Sequence, residues 1–153
     1  MDQPTLPLKS LTHAEIARKW VDSFQDLETK MLTEIEPYLS DDFELVCPGD
    51  SEVVPFAGIW NGSAGHQKWL DLFFGFFQRT KTNDVSYTET DHSVIARWKE
   101  SVILQGVPCD PVQINMYFHF LNGRLARIFD DYDTQTGSSS ITQTLSLVQD
   151  DRS

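Results

Sequence analysis

The chain has 153 residues, which predicts one domain over 1–153 with a substantial core. Its formal net charge of −11 opposes phosphate backbones and anionic lipid surfaces, so neither nucleic acid nor a membrane is an expected partner. Two cysteines, Cys47 and Cys109, with no CxxC and no zinc-type Cys/His spacing, point to free thiols rather than a disulfide framework or a metal centre.

Pro4, Pro7 and Lys9 interrupt any apolar leader, and no apolar run is long enough to span a bilayer. A soluble, cytoplasmic protein is the expectation. After a Pro-containing lead, Thr12-His13-Ala14-Glu15 forms a capping box, with Thr12 as N-cap. Ile16, Trp20, Val21, Phe24 and Leu27 then recur at helical spacing. A second helical stretch carries Met31, Leu32, Ile35, Tyr38 and Leu39 on one side, although Pro37 strains its end. Phe43–Cys47 reads as a first strand and Pro48-Gly49-Asp50 as a break. Residues 53–60 read as extended, with Phe56 and Trp60 on one face.

Asn61-Gly62-Ser63 opens a third helix with Ser63 as the expected N-cap. Trp69, Leu70, Phe73, Phe74, Phe76 and Phe77 make it apolar around most of its girth, which suits a helix lying across a sheet. Strands are predicted near 84–90, 93–104, 112–121 and 124–133, with turns at Gly106-Val107-Pro108 and Asn122-Gly123. The polar tail holds one helical turn around Leu145 at most. Helices followed by an antiparallel meander predict an α+β fold. Its curved, cone-shaped antiparallel sheet wraps around the N-terminal helices and one long crossing helix.

The last hairpin carries ionisable residues among aromatics, where a sheet core should be apolar. His119 precedes the Asn-Gly turn, and Asp130, Asp131 and Asp133 follow it. Carboxylates among aromatic rings are costly unless they are hydrogen-bonded, paired or chemically employed. On the first of these strands Tyr117 and His119 share a semi-polar face, opposite Ile114, Met116, Phe118 and Phe120. On the second, alternation puts Asp131 with Asp133, and Asp130 with Ile128 and Tyr132. One of these two faces is the pocket. An aspartate walled by aromatic rings has its pKa raised, making it an acid and base usable near neutrality. His66, in the first turn of the third helix, is a further ligand contact to weigh against a solvated histidine. Trp20, Phe24, Tyr38, Phe56, Trp60, Phe73 and Phe77 are the pocket-wall candidates, each weighed against a plain core role. Arg97 and Glu100 could pair with each other or face water.

Phe56-Ala57-Gly58-Ile59-Trp60-Asn61-Gly62-Ser63-Ala64-Gly65, followed by an aromatic helix, resembles a signature of SnoaL-like proteins of the nuclear transport factor 2-like superfamily. Tyr38–Phe43 is similar to the segment that enters their first strand. Phe118–Leu125 resembles their hairpin, and Tyr132-Asp133 their closing pair. The likeness covers residues 12–135. It implies a cone-shaped fold, often a homodimer through the sheet, with an apolar pocket, no metal and no cofactor. In the polyketide-cyclase branch a histidine and an acid/base aspartate work on an enol carbon; counted from Gly123, these positions are His119 and Asp133. The epoxide-hydrolase branch places its acid/base aspartate at Asp130. That branch also uses an Arg–Asp pair, and Arg97 has no aspartate beside it.

The expected function is therefore a cofactor-independent isomerase, cyclase or dehydratase. It would act on a small hydrophobic metabolite such as a polyketide or terpenoid intermediate. Asp133, or Asp130 if the register differs, is the expected base. His119 would stabilise the developing enolate oxygen, and Tyr117 and Tyr132 would orient the ligand. The alternatives are a non-catalytic module that binds a hydrophobic ligand, and an epoxide hydrolase of the same fold.

Overall fold

The computed structural model describes residues 10–79, 84–132 and 141–142. Thr12 starts helix α1 (His13–Leu27) by the reciprocal bonds its sequence promises. Its hydroxyl accepts from the Glu15 amide, and its own amide donates to the Glu15 carboxylate at 3.0 Å. Ile16, Ala17, Trp20, Val21 and Phe24 form the buried stripe.

The second helical stretch is broken into pieces. A 3₁₀ turn (Glu28–Lys30), α2 (Leu32–Ile35) and another 3₁₀ turn (Glu36–Tyr38) follow one another, with Pro37 in the first turn of the last. Proline lacks the N–H that a continuing helix would need there. Strand β1 (Leu39–Cys47) buries Phe43, Leu45 and Cys47. Residues 53–57 are not extended, contrary to the sequence reading. The amides of Val53 and Val54 donate to the Asp50 carbonyl, and that of Ala57 to the Val54 carbonyl, so this backbone closes on itself. Strand β2 is thereby shortened to Gly58–Asn61.

Helix α3 (Gly62–Phe76) starts two residues earlier than expected, with Asn61 and not Ser63 in the cap position. A Cβ at Gly65 would lie 2.8 Å from the Trp60 backbone carbon, so the helix packs closely over the strand that leads into it. Then come β3 (Gln78–Arg79), β4 (Ser86–Glu89), β5 (Ser93–Glu100), β6 (Val102–Leu104), β7 (Val107–Pro108), β8 (Val112–Leu121) and β9 (Arg124–Tyr132). The strand predicted over 93–104 is split at Ser101, and the turn after it falls on Gln105-Gly106. Asn122 and Gly123 both have positive φ, 53° and 77°, as a tight two-residue hairpin turn requires. The turn expected near Leu145 lies outside the described residues.

The main sheet has the order β2-β1-β9-β8-β5-β4, and β3-β6-β7 form a small second sheet. Pairing is antiparallel except for β1 and β9, which run parallel. Both ladders of β9 shift register: Phe120 faces Leu125, while its neighbour His119 faces Arg127. Such a bulge bends a strand and increases its twist, which supplies the curvature of the cone. The helices cover one face only. Val94, Ala96 and Trp98 of β5, Ile114 to Phe120 at alternate positions of β8, and Leu125 and Ile128 of β9 are buried against them. No helix among the described residues is long and apolar enough to cross a membrane.

Candidate active site

At the end of the cone farthest from the Asn-Gly turn, the inward faces of β5 and β9 stop being apolar. Glu100 ends β5 inward, and Asp130 follows Ile128 inward on β9. Both line a cavity of about 70 Å³. Its other walls are Val54 and Phe56 from the loop before β2, Phe73 and Phe77 from α3 and its end, Val102, Cys109, Val112, Ile114, Tyr132 and Ile141. No Lys, Arg or His among the described residues lines it.

The two carboxylates are held differently. Glu100 is fully committed: Arg79 grips it in a fork, Nε to Oε1 at 2.7 Å and Nη2 to Oε2 at 3.1 Å, and the Trp98 indole N–H donates to Oε2 at 2.5 Å. The Arg79 guanidinium also stacks over Phe24, 5.1 Å from the ring centre. This pair is buried, and its geometry matches the bidentate, further-bonded arrangement that a buried ion pair needs.

Asp130 is 6% exposed and has far less support. Its Oδ2 receives the Cys47 thiol at 3.8 Å. Its Oδ1 is buried and finds no hydrogen-bond partner among the described residues. Burial above all, and then the charge of Glu100, push its pKa from 3.8 up to about 7, against a smaller lowering by the Cys47 thiol. Burial likewise pushes the Cys47 thiol upward, out of ionising range, so it acts as an S–H donor. The Tyr132 hydroxyl donates to the Pro48 carbonyl at 2.5 Å, which ties β9 to the loop after β1, and burial raises its pKa as well. The arrangement is a carboxyl group poised near neutrality, with one oxygen anchored and one available, inside apolar walls.

The structure divides the sequence candidates into three groups. Asp130, Tyr132, Phe56, Phe73 and Phe77 meet at the cavity. His119 and Tyr117 lie on the opposite, outer face of the sheet. There His119 is exposed, with Nδ1 3.4 Å from the Ser93 hydroxyl, and Tyr117 packs edge-on to Phe129. Asp131 points to that side too, beside Tyr117, His119 and Arg127. The expected histidine–aspartate partnership is therefore not formed by His119 and Asp130. Asp133 lies outside the described residues.

The third group is the aromatic core between helices and sheet. His66 is fully buried there. Its Nε2 accepts from the Trp20 indole at 3.0 Å, and burial lowers its pKa from 6.5 to about 4. Trp20 and Phe24 stack at 5.1 Å, and Phe24 continues to Trp69 and Phe73. Trp60 is half-buried, and its indole donates to the Phe56 carbonyl, pinning the loop end. Tyr38 packs at the edge of the core.

Glu100, Arg79, Cys47 and Cys109 were not singled out as site residues. One signal for Glu100 was legible: it shares strand parity with Trp98 and Ala96, the apolar face of β5. Of the two alternatives for Arg97, pairing with Glu100 or facing water, the pairing is not formed: Arg97 donates to the Thr88 hydroxyl at 3.1 Å on the outer side. The Arg79 pairing spans 21 positions and had no local signal. Among the described residues no group of three or more His, Cys, Asp or Glu side chains could hold a metal ion.

No protein-family model and no curated protein matches the chain. Solved structures do. An NTF2-like protein of Burkholderia xenovorans superposes with a TM-score of 0.72 at 12% identity, over 87% of this chain and 99% of that one. A candidate isomerase of Rhodopseudomonas palustris gives 0.66 at 20% identity, over 92% and 99%. A candidate polyketide cyclase of Pseudomonas putida gives 0.67 at 11% identity, over 85% and 98%. The fold is the nuclear transport factor 2-like cone.

Proposed function

We propose that this chain is a cofactor-independent acid–base enzyme that moves a proton on a small, uncharged, largely apolar organic molecule, in an isomerisation, cyclisation or dehydration. Asp130 is the group that takes and returns the proton. The observation that carries this reading is its buried Oδ1, without a hydrogen-bond partner among the described residues, in an apolar cavity, with a proton affinity near neutrality. A general base works best when its pKa lies close to the working pH. Placing a carboxyl there costs stability, and such costs recur where a group has chemical work to do.

The cavity's charge supports an uncharged substrate. Among the described residues the neighbouring cation, Arg79, is already forked onto Glu100, so an anion would meet carboxylates with no free positive group among those residues. Its size supports a small reacting head, since about 70 Å³ is less than the ~150 Å³ hole that takes up benzene. The names of two structural neighbours, a candidate isomerase and a candidate polyketide cyclase, agree with proton-transfer chemistry. His119 has no part in this reading, because it stands on the other face of the sheet.

The test needs no knowledge of the natural substrate. A panel of small cyclic and branched ketones is incubated in D₂O with the protein, and α-proton exchange is followed by NMR. At least one ketone should exchange above the buffer rate, with a rate that rises through a pH of about 7. Asp130→Asn should fall to the buffer rate. Exchange that survives in the variant would remove Asp130 from the mechanism. Saturable ketone binding without exchange would support the binding-module alternative instead.

A further inference from the structure

Strands β1 and β9 run parallel with Val46 beside Phe129, and continuing that register brings Cys47 beside Asp130. The two side chains meet on the buried face of the curved sheet, 1% and 6% exposed, with Sγ 3.8 Å from Oδ2. An aspartate's last torsion is soft, so its two oxygens exchange places unless something holds them. Among the described residues the Cys47 thiol supplies the one hydrogen bond to this carboxyl. We propose that Cys47 is a positioning residue: its thiol holds Oδ2 and thereby presents Oδ1 as the oxygen that exchanges the proton with the ligand.

The choice of residue type is chemically apt. A hydroxyl, an amide or a cation at this place would bond the carboxylate strongly and make it a poor base. A thiol is a weak donor, so it orients Asp130 while leaving most of its basicity intact. Cys47 stays a thiol, because burial and the neighbouring Asp130 charge both disfavour the thiolate. The other groups facing Asp130 are accounted for. Glu100 on β5 is gripped by Arg79 and Trp98, the Tyr132 hydroxyl on β9 is given to Pro48, Cys109 lines the same cavity, and Asp131 faces outward next door.

This inference rests on Asp130 being the working group, but its first test does not depend on turnover. The Asp130 carboxyl carbon is titrated by NMR in the wild type, in Cys47→Val, which keeps bulk and removes the donor, and in Cys47→Ser, which keeps a donor. The midpoint in Cys47→Val should rise by about half a unit or more, as loss of a bond to the charged form requires. In Cys47→Ser it should stay at or below the wild-type value. An unchanged or lowered midpoint in Cys47→Val overturns the proposal, and so does a rise of equal size in Cys47→Ser. If Cys47→Val does not fold, Cys47→Ala takes its place with the same expectation.

The second readout is ketone exchange at a pH above all the midpoints, where every variant is ionised. There kcat in Cys47→Val should drop roughly tenfold with KM little changed, because misorientation of a reacting group acts on the chemical step, and Cys47→Ser should recover part of that loss, since its hydroxyl restores the orientation but binds the carboxylate more strongly. Equal kcat in all three proteins would refute positioning even if the midpoints move. Absence of exchange in the wild type would count against the proposed function, while the titration would still decide the Cys47 contact.

Discussion

Replacing Asp130 with asparagine should make the protein more stable, and by an amount that depends on pH in a specified direction. The folded-state pKa of about 7 stands above the ordinary 3.8. Below 3.8 the folded and unfolded chains both hold the proton. Between 3.8 and 7 the unfolded chain releases it and the folded chain does not, so stability falls as pH rises. Above 7 the loss is complete. A difference of about three units is worth about 4 kcal/mol at ~1.4 kcal/mol per unit. Asparagine has nearly the same shape and no charge to bury.

The gap between variant and wild type should therefore widen by ~1.4 kcal/mol per pH unit up to a pH of about 7, then level off. Urea unfolding followed by tryptophan fluorescence, with Trp20 and Trp69 fully buried, measures this directly. His66 titrates in an overlapping range, but it is present in both proteins and cancels from the difference. A gap that does not change between a pH of about 5 and about 8 would mean that Asp130 ionises as it does in water. That result would refute the burial argument on which the proposed chemistry rests.

Arg79→Met should cost about 3–5 kcal/mol, because it leaves Glu100 charged and buried without its fork, and should lower Tm by roughly 10 °C or more in a scan at neutral pH. Adding Glu100→Gln should recover much of that loss. For His66 the folded pKa of about 4 lies below the ordinary 6.5, so the stability tied to its neutral form is complete above 6.5 and is lost as pH falls toward 4. His66→Leu should cut the acid-side slope of stability by about 3 kcal/mol over that window, while costing ~1–3 kcal/mol at neutral pH by leaving the Trp20 indole without its acceptor. Gly49 has φ 132°, and a Cβ there would lie 2.6 Å from the Tyr132 hydroxyl oxygen. Gly49→Ala should cost about 1–3 kcal/mol, and a double-mutant cycle with Tyr132→Phe should show that the two substitutions are not additive.

Much of this architecture was legible because its signals are local. The Thr12–Glu15 box, the stripe on α1, the aromatic girth of α3 and the Asn122-Gly123 turn each depend on residues within one or two turns of one another. Period and turn chemistry are enough to place them, and with them the cone. The same logic found the acidic cluster after the hairpin, since charges among aromatics are conspicuous in any register. It failed over 53–57, where short-range turn bonds compete with extension and composition does not say which prevails.

What the linear pattern could not decide is which aspartate turns inward and what it meets there. The bulge opposite Phe120 displaces β9 by one residue, and the residues beyond it then alternate so that Ile128 and Asp130 face the helices while Asp131 faces out. Cys47 reaches Asp130 only through a parallel pairing of strands more than eighty residues apart in the chain, and Arg79 reaches Glu100 only once β3, which follows α3, has paired with β6. The identity of these side chains is written in the sequence; their partners, their burial and the shift of the Asp130 proton toward neutrality exist only after folding has removed the water around them.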